Sequence, residues 1–571
     1  MRPIPQSRHL VAILLLAGVA ATSGYLAAHD ERLSDAQEYA ATAALKRNAA
    51  DRFAHDPIYG PSRLWQFHPP AFQIPLEMVL IPTGYRDPML PFRIMTGVVV
   101  MVYLCGMYAL LYRQTRSWSI SVFVAVLSST VTYAIGGAFW GVGSLGSIEP
   151  AGLCIAVIPL VLLAYRRHGR TWRVLLVFGF IGLLGNLHPA TAMNLSLVLL
   201  IAFLAERRFS LRAWPTAIGS GICAFVGALP YLWYCYWLRR ELTPPDAVVS
   251  TQTIYEAIAI GEWNVLYPEI LRSVLSWPLF LFLLVVPLTV VLNRLERFPI
   301  RNFRFWLWFI GAGLFVTFVL QGASQLIGTL RPAGPPILTF VWASSLVMLP
   351  LYALLAQVLT SLFRITRTHR ALVRWGCAAF AAAWIIPSSN FRVARYATLE
   401  AANTFVHLFA ERPAEPPGIR SPADRPWRKV QEHRDKLRRA AELVEIGQWA
   451  QDPRNTGIDA VFLCNRVEFR MLSRRSIVAA GDDLPFFYHF APWRLQEWAK
   501  AVVLQSRIFF ALQGAEPVAL PELIRELSSQ KQFDGVKEWY IILPGRATHG
   551  KLEDLELKWS GEFHQVYRFR R

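Results

Sequence analysis

The sequence predicts a polytopic α-helical membrane protein, with about eleven transmembrane helices and a small C-terminal α/β domain outside the membrane. Hydrophobic residues make up 54% of the 571 residues and charged residues only 17%, which is too apolar a balance for a soluble chain. Apolar runs such as 10–28 and 277–293 are each long enough to cross about 30 Å of hydrocarbon. After residue 389 the composition becomes charged and mixed, as in a soluble domain.

The apolar runs divide into eleven predicted spans, and the charges between them predict their orientation. With the N-terminus in the cytoplasm, the connections on that side hold nineteen arginines and two glutamates. The short outer loops hold only one basic residue, Arg331. This positive-inside bias predicts a bacterial inner-membrane protein with a periplasmic C-terminus. The net charge of +19 therefore orients the chain in the bilayer and does not indicate a nucleic-acid partner. The spans are predicted at 9–28, 92–112, 118–138, 150–165, 174–187, 190–205, 214–236, 277–293, 304–322, 336–362 and 372–388.

Three parts follow from this pattern. Residues 1–390 form the transmembrane domain, which includes a long outer loop at 29–91, and residues 391–426 form an amphipathic segment and a proline-rich linker. Residues 427–571 form the periplasmic domain, where strands are predicted to alternate with helices. The predicted strands lie at 460–464, 476–479, 539–543 and 564–569, and the predicted helices at 427–450, 490–511 and 520–532.

The first outer loop carries the acidic residues that catalysis would need. Asp30, Glu31, Asp35 and Glu38 follow directly after the first span, and the alanine-rich residues 40–54 predict a helix near the membrane interface. The same acids would also be favourable at the start of a helix for electrostatic reasons alone. No Walker loop, GxGxxG, GxSxG, HExxH or CxxC motif is present, so ATP-driven transport and the common soluble chemistries have no sequence support.

Residues 34–70 resemble the first periplasmic loop of the GT-C superfamily of polyprenyl-phosphate-dependent glycosyltransferases, which includes protein O-mannosyltransferases and aminoarabinose lipid A transferases. The segment reads SDAQEYAATAALKRNAADRFAHDPIYGPSRLWQFHPP. Asp35 matches the first acid of the family motif, Tyr39 its tyrosine, and His68 with the two following prolines its Pro-Pro element. Ala36 stands where the second acid is typical, so Glu38 or Glu31 would have to replace it.

Two later stretches fit the same family, at 185–189 (GNLHP) and 331–336 (RPAGPP). The resemblance implies transfer of a sugar from a polyprenyl-phosphate donor to a glycan, lipid or protein acceptor. Asp35 would be the general base, and Arg331 would stabilise the negative charge of the leaving phosphate. A divalent cation, Mg²⁺ or Mn²⁺, is the cofactor that such an acidic site could take. The resemblance places the other candidate residues as well, with Glu38 and Glu31 as further catalytic acids and His68, His188, Tyr39 and Asp30 as substrate contacts.

Each of these interpretations has an alternative. Arg331 could instead lie at the end of a span and extend its side chain to the lipid headgroups. His68 and His188 could instead be buried histidines that are hydrogen-bonded within the protein. Because of Ala36, a catalytically inactive scaffold or assembly subunit is the main alternative function, and an O-antigen ligase or polymerase is another. A transporter would need polar or broken helices in the middle of the membrane. We expect the first span to be retained rather than cleaved as a signal peptide, since it would anchor Asp35 at the membrane surface.

Overall fold

The computed structural model describes residues 6–29, 35–129, 148–245, 247, 249–260, 277–294, 300–330, 340–365, 370–385, 425–512, 520–545 and 555–569. Within these ranges the protein is mostly helical, and a small sheet domain lies at its C-terminal end. The helices of the first 385 residues are α1 (Gln6–His29), α2 (Asp35–Asn48), α3 (Pro70–Leu80), α4 (Leu90–Thr115), α5 (Trp118–Ser128), α6 (Pro150–His168), α7 (Val174–Leu184), α8 (Pro189–Glu206), α9 (Trp214–Leu242), α10 (Thr251–Ile260), α11 (Trp277–Arg294), α12 (Phe303–Leu314), α13 (Gln321–Leu330), α14 (Ala343–Ile365) and α15 (Arg370–Ile385).

Each predicted span overlaps at least one of these helices, but the lengths differ, and residues 130–138, 336–339 and 386–388 of three predicted spans lie outside the described ranges. Among the described residues, seven helices are long and apolar enough to cross a membrane, and three shorter helices are also apolar. The eleven residues of α5 or α7 rise only about 17 Å at 1.5 Å per residue, which is short of the hydrocarbon thickness. The protein is therefore a multi-pass membrane protein by length and composition, and the predicted count of eleven spans is not confirmed.

Glycines allow the closest helix contact in the bundle, between α7 and α9. A Cβ atom added at Gly182 would collide with the backbone carbonyl of Ala224, and one added at Gly227 would lie 2.5 Å from the carbonyl oxygen of Gly179. Small residues at such crossings let two backbones approach closely, which is the main way that helices gain packing energy in a membrane. The glycines of α7 and α9 therefore fix how these two helices cross.

The first helix packs against α4 through one face. At the end of that face, a Cβ added at Gly24 would lie 3.2 Å from the Cα of Gly97, and His9 Nδ1 lies 2.7 Å from the phenol oxygen of Tyr108. Removal of α1 would expose this surface of α4. The buried residues of the face recur every four positions, at Ala12, Leu16 and Ala20.

Charged connections meet at one end of the bundle. Arg166, at the end of α6, forms an ion pair with Glu206 at the end of α8, with 3.2 Å between Nη1 and Oε1. The same guanidinium donates to the side-chain oxygen of Asn302, just before α12, over 2.6 Å. Arg301 donates to the backbone carbonyl of Arg113, near the end of α4. These contacts place connections that the charge pattern assigned to one membrane side at the same end of the molecule.

The first outer loop lies against the other end of the bundle. The Tyr231 hydroxyl, in the second half of α9, donates to the carbonyl oxygen of Phe67 over 2.6 Å. One turn later, the Tyr234 hydroxyl donates to the carbonyl oxygen of Gln66 over 3.0 Å. Both acceptors are backbone atoms of the loop, so the loop is fixed in place on the end of α9.

The C-terminal domain is a five-stranded mixed sheet with helices around it. The strand order is β2-β1-β3-β5-β4, with β2, β1 and β3 parallel and β5 antiparallel to both β3 and β4. Four strands match the predicted ones, and β4 was not predicted because half of its residues are exposed and its sequence forms no apolar run. The elements are α16 (Arg425–Gln451), β1 (Val461–Leu463), α17 (Glu468–Ser473), β2 (Ser476–Ile477), α18 (Leu484–Phe490), α19 (Leu495–Leu512), α20 (Leu520–Ser528), β3 (Trp539–Pro544), β4 (Leu555–Ser560) and β5 (His564–Phe569).

Candidate functional site

The helix of the first outer loop is buried within the protein over most of its described length. It begins at Asp35 and ends at Asn48, earlier than the predicted 40–54. Every residue from 37 to 45 is buried, and α2 packs against α3 on one side and α17 of the C-terminal domain on another. Its alanines make this environment possible, since a side chain of one carbon lets neighbouring elements approach from several directions. The C-terminal domain thus covers this helix on one side, and its predicted position near the membrane interface stays a prediction.

A tight turn follows this helix. Both backbone amides of Ile58 and Tyr59 donate to Asp56 Oδ1, over 3.0 and 3.2 Å, as an aspartate commonly does in a turn. A Cβ added at Gly60 would lie 2.5 Å from the carbonyl oxygen of Asp56, so only glycine fits there without displacing the backbone. The turn thus holds the Asp56 carboxylate in one orientation, with its second oxygen directed at the C-terminal domain.

That second oxygen takes part in a buried ion triad formed by Asp56, Arg470 and Asp483. Arg470, on α17, is 1% exposed, and its Nε donates to Asp56 Oδ2 over 2.7 Å. Its two terminal nitrogens donate to the two oxygens of Asp483 over 2.6 and 2.8 Å. All three nitrogens of this guanidinium thereby donate hydrogen bonds in a forked geometry, which arginine can provide and lysine cannot.

Tyr39 of α2 joins the triad. Its hydroxyl lies 2.8 Å from both Asp483 Oδ1 and the carbonyl oxygen of Asp482, so its one proton is shared between two acceptors. Its own carbonyl oxygen accepts a hydrogen bond from the Tyr59 hydroxyl over 3.0 Å. Tyr39 is therefore held at both its side chain and its backbone.

Burial and charge act against each other in this cluster. Burial alone lowers the pKa of the Arg470 guanidinium, but the carboxylates of Asp483 and Asp56 raise that pKa above its ordinary value. Burial raises the pKa of Asp56, and Arg470 opposes that rise. Burial and the Asp483 charge together raise the pKa of Tyr39 well above its ordinary value. Tyr39 therefore keeps its proton and remains a hydrogen-bond donor at any physiological pH.

Sequence reasoning did not find the triad, because nothing in the sequence links its members. Arg470 and Asp56 are separated by 414 positions. The available signals were the His-Asp-Pro sequence at 55–57 and the paired acids at 482–483, each adjacent to apolar residues. Either signal alone is equally typical of an exposed turn, so only the three-dimensional structure connects them.

The predicted site residues of the first loop do not gather in one place within the described residues. Asp35 begins α2, and its side chain lies outside the described part of the structure. Glu38 is buried in α2, only 4% exposed, and Tyr39 is committed to Asp483. The described residues thus bring Tyr39 and His68 together, and do not bring the predicted acids around one point. Three further predicted residues, Asp30, Glu31 and Arg331, lie outside the described ranges.

His68 lies beside Tyr39 and the C-terminal domain. Its ring is 6.3 Å from the ring of Tyr39 and 5.3 Å from that of Phe486, measured between centroids. Its Nε2 atom is buried and has no hydrogen-bond partner among the described residues. Burial, with a smaller effect of Arg47, lowers the pKa of His68 to about 3. The imidazole is therefore neutral, and it offers a ligand a hydrogen-bonding nitrogen rather than a positive charge.

His188 has a structural role in the described residues. Its Nδ1 accepts a hydrogen bond from the backbone amide of Thr191 over 3.2 Å, so the side chain caps the start of α8. Its ring meets that of Trp342 edge-on at 6.4 Å. Burial, together with nearby His489 of α18, lowers the pKa of His188 to about 4. A neutral helix cap is a different role from the predicted contact with a donor phosphate.

Across the part of the chain that the structure describes, no group of three or more His, Cys, Asp and Glu side chains is arranged to hold a metal ion. No family model matches the chain, and no curated protein matches it significantly.

Proposed function

We propose that the protein is a glycosyltransferase of the GT-C type, which moves a sugar from a polyprenyl-phosphate donor to an acceptor on the periplasmic face of a bacterial inner membrane. One observation carries the proposal. The first outer loop, whose helix begins at Asp35, is held rigidly at the end of the bundle opposite the arginine-rich connections. A soluble outer domain covers this loop, as an acceptor-binding or site-closing domain would.

The proposed chemistry requires a group at this depth. A lipid-linked donor keeps its chain in the bilayer and its sugar at the surface, so its enzyme needs a base just above the membrane. Asp35 follows the end of α1 after a short connection, which supports this location. Asp35 would take the proton of an acceptor hydroxyl as that oxygen attacks the anomeric carbon, and the phosphate would leave with inversion at that carbon.

Other residues take supporting roles in the proposal. Arg331 would stabilise the leaving phosphate, and Glu31 or Glu38 would supply the second acid that Ala36 cannot. The unpartnered Nε2 atom of His68 supports a polar contact between the loop and a substrate. The acceptor is a glycan, a lipid or a protein.

The test follows the one product that every such donor releases, polyprenyl phosphate. Purified protein in proteoliposomes would be given polyprenyl-phosphate sugars extracted from its native membranes, together with the glycans, lipids and proteins of the same membranes as acceptors. Release of polyprenyl phosphate would be measured with EDTA, Mg²⁺ or Mn²⁺. Asp35→Asn should lower turnover about 10²-fold or more with the fold intact. Asp51→Asn, at an exposed position of the same loop, should leave turnover unchanged. Turnover at the wild-type rate by Asp35→Asn would contradict the assignment of the base.

An inactive scaffold is the second candidate, favoured by one specific observation. The Tyr39 hydroxyl, which the resemblance places near substrate, is used in a contact with Asp483. A scaffold would release no polyprenyl phosphate under any of these conditions. Arg331→Lys gives further discrimination, because it should weaken donor binding if Arg331 clamps phosphate and should have little effect if Arg331 only anchors a span.

A further inference from the structure

The buried ion triad lies next to the turn of α2 that begins with Asp35. Tyr39 is four residues after Asp35, and residues four apart in an α-helix are joined by a backbone hydrogen bond. Tyr39 is held by Asp483 at its hydroxyl and by Tyr59 at its carbonyl oxygen. A change in the triad can therefore reach the first turn of α2 through Tyr39.

We propose that Arg470 is a positioning residue for the catalytic base, and that the C-terminal domain acts on the reaction through it. This inference rests on the proposed function. Arg470 orients both oxygens of Asp483, and Asp483 in turn fixes the Tyr39 hydroxyl. Arg470 also fixes Asp56, whose turn holds Tyr59 against the Tyr39 carbonyl. The guanidinium thus acts on two of the contacts that hold Tyr39, those with Asp483 and with Tyr59.

The forked geometry makes the role specific to arginine. A lysine at position 470 would keep one positive charge but could not donate to both oxygens of Asp483 and to Asp56 in one plane. The orientation of Asp483 and Asp56 would then be lost, while the charge balance of the buried cluster is largely kept. Arg470→Lys is therefore a better test than the removal of either acid.

The first outer loop and the C-terminal domain should remain docked in Arg470→Lys, because other contacts hold them together. The Arg494 guanidinium donates to the carbonyl oxygen of Pro57 over 3.1 Å, and Arg474 donates to that of Tyr85 over 2.9 Å. The backbone amide of His55 donates to Ser476. None of these three contacts involves a member of the triad.

A matched control is available in the same segment. Arg475 is also buried, and it donates to the hydroxyl and the carbonyl oxygen of Thr456, within the C-terminal domain. Arg475→Lys therefore disturbs a buried arginine of the same domain without touching the loop. Tyr39→Phe is a milder second variant, which removes the link to Asp483 and leaves all three ionic groups.

Two measurements on the full-length protein in proteoliposomes test the proposal. Hydrogen exchange of the backbone amides in residues 37–47 should rise at least tenfold in Arg470→Lys and, to a smaller extent, in Tyr39→Phe, and should stay at the wild-type rate in Arg475→Lys. In the polyprenyl phosphate assay, kcat of Arg470→Lys should fall at least tenfold with KM for the donor changed less than threefold.

Each outcome decides the proposal. Unchanged exchange in 37–47, an equal rise in Arg475→Lys, or a local rise without loss of kcat would overturn it. Should the wild-type protein release no polyprenyl phosphate at all, the proposed function fails and the positioning role fails with it. The exchange measurement then still reports whether Arg470 controls the helix, so the two failures are distinguishable.

Discussion

The hydroxyl of Tyr39 lies 2.8 Å from the carboxylate of Asp483, across 444 positions of the sequence. The first of these residues belongs to the loop that follows the first membrane helix, and the second to the soluble domain near the C-terminus. Because both are buried, the contact forms part of a shared interior rather than of a surface between two finished parts. The outer loop and the C-terminal domain are therefore one structural unit.

Asp56→Asn should destabilise this unit strongly. The change removes a negative charge from beside the buried guanidinium of Arg470, and breaking a buried ion pair in this way costs about 3 kcal/mol or more. Urea unfolding in detergent, followed by tryptophan fluorescence, measures the free energy of unfolding. Asp51→Asn, on the exposed part of the same loop, should change it by no more than about 0.5 kcal/mol. Equal values for the two variants would show that the pair contributes nothing.

Gly182→Ala should disrupt the contact between α7 and α9. The added methyl group would meet backbone atoms of Ala224 and Gly227, which cannot move without separating the helices. Gly179→Ala in the same helix is the control, since an added Cβ there has no atom within 4 Å. We expect a drop of at least 5 °C in the thermal midpoint for the first variant and none for the second. Equal midpoints would mean that the crossing is looser than the structure shows.

Acidification should destabilise the protein through its buried histidines. Burial lowers the pKa of His68 to about 3 and those of His188 and His489 to about 4, whereas an unfolded histidine titrates near pH 6.5. Between these values the unfolded state binds more protons, so stability is fully present above about pH 6.5 and falls as the pH decreases toward 4. The thermal midpoint should therefore decrease from pH 7.5 to pH 5.

The variant His489→Gln separates this effect from the titration of carboxylates. It removes one of the three histidines, so its thermal midpoint should depend less steeply on pH than that of the wild-type protein. A pH dependence as steep as that of the wild type would assign the acid sensitivity to other groups.

Topology reporters test the orientation. Fusions after Arg170, Arg301 and Arg370 should report a cytoplasmic location, because the arginine-rich connections resist translocation. Fusions after Thr251 and Pro426 should report a periplasmic location. A cytoplasmic signal at Thr251 would remove the basis for an active site on the outer face.

Long apolar runs made much of the membrane domain predictable. The run at 92–112 corresponds to α4, since an almost wholly apolar stretch of this length in a membrane leaves the backbone little choice other than a helix. The shorter α7 shows the limit of this argument, because its eleven residues are apolar without being long enough to span. Hydropathy alone does not separate a full span from a short helix packed within the bundle.

The candidate site was less predictable, for a different physical reason. Tyr39 was identified from local sequence, but its partner is determined by how two distant segments pack. Asp56 appeared to be an ordinary turn residue, and only the tertiary structure brings Arg470 within 2.7 Å of it. Buried polar contacts between remote segments leave no periodic pattern in either segment, whereas helices and strands do.

The separation of Asp56 and Arg470 also has a consequence in time. A ribosome adds about 5 to 20 residues per second, so the 414 positions between them take roughly 20 to 80 s to synthesise. Throughout that interval the first outer loop lacks the arginine that neutralises its carboxylate. Water must solvate Asp56 until the last quarter of the chain has been synthesised. Only then can the turn at Asp56 and helix α2 be buried against the C-terminal domain. The part of the protein that is made almost first is therefore among the last to reach its final structure.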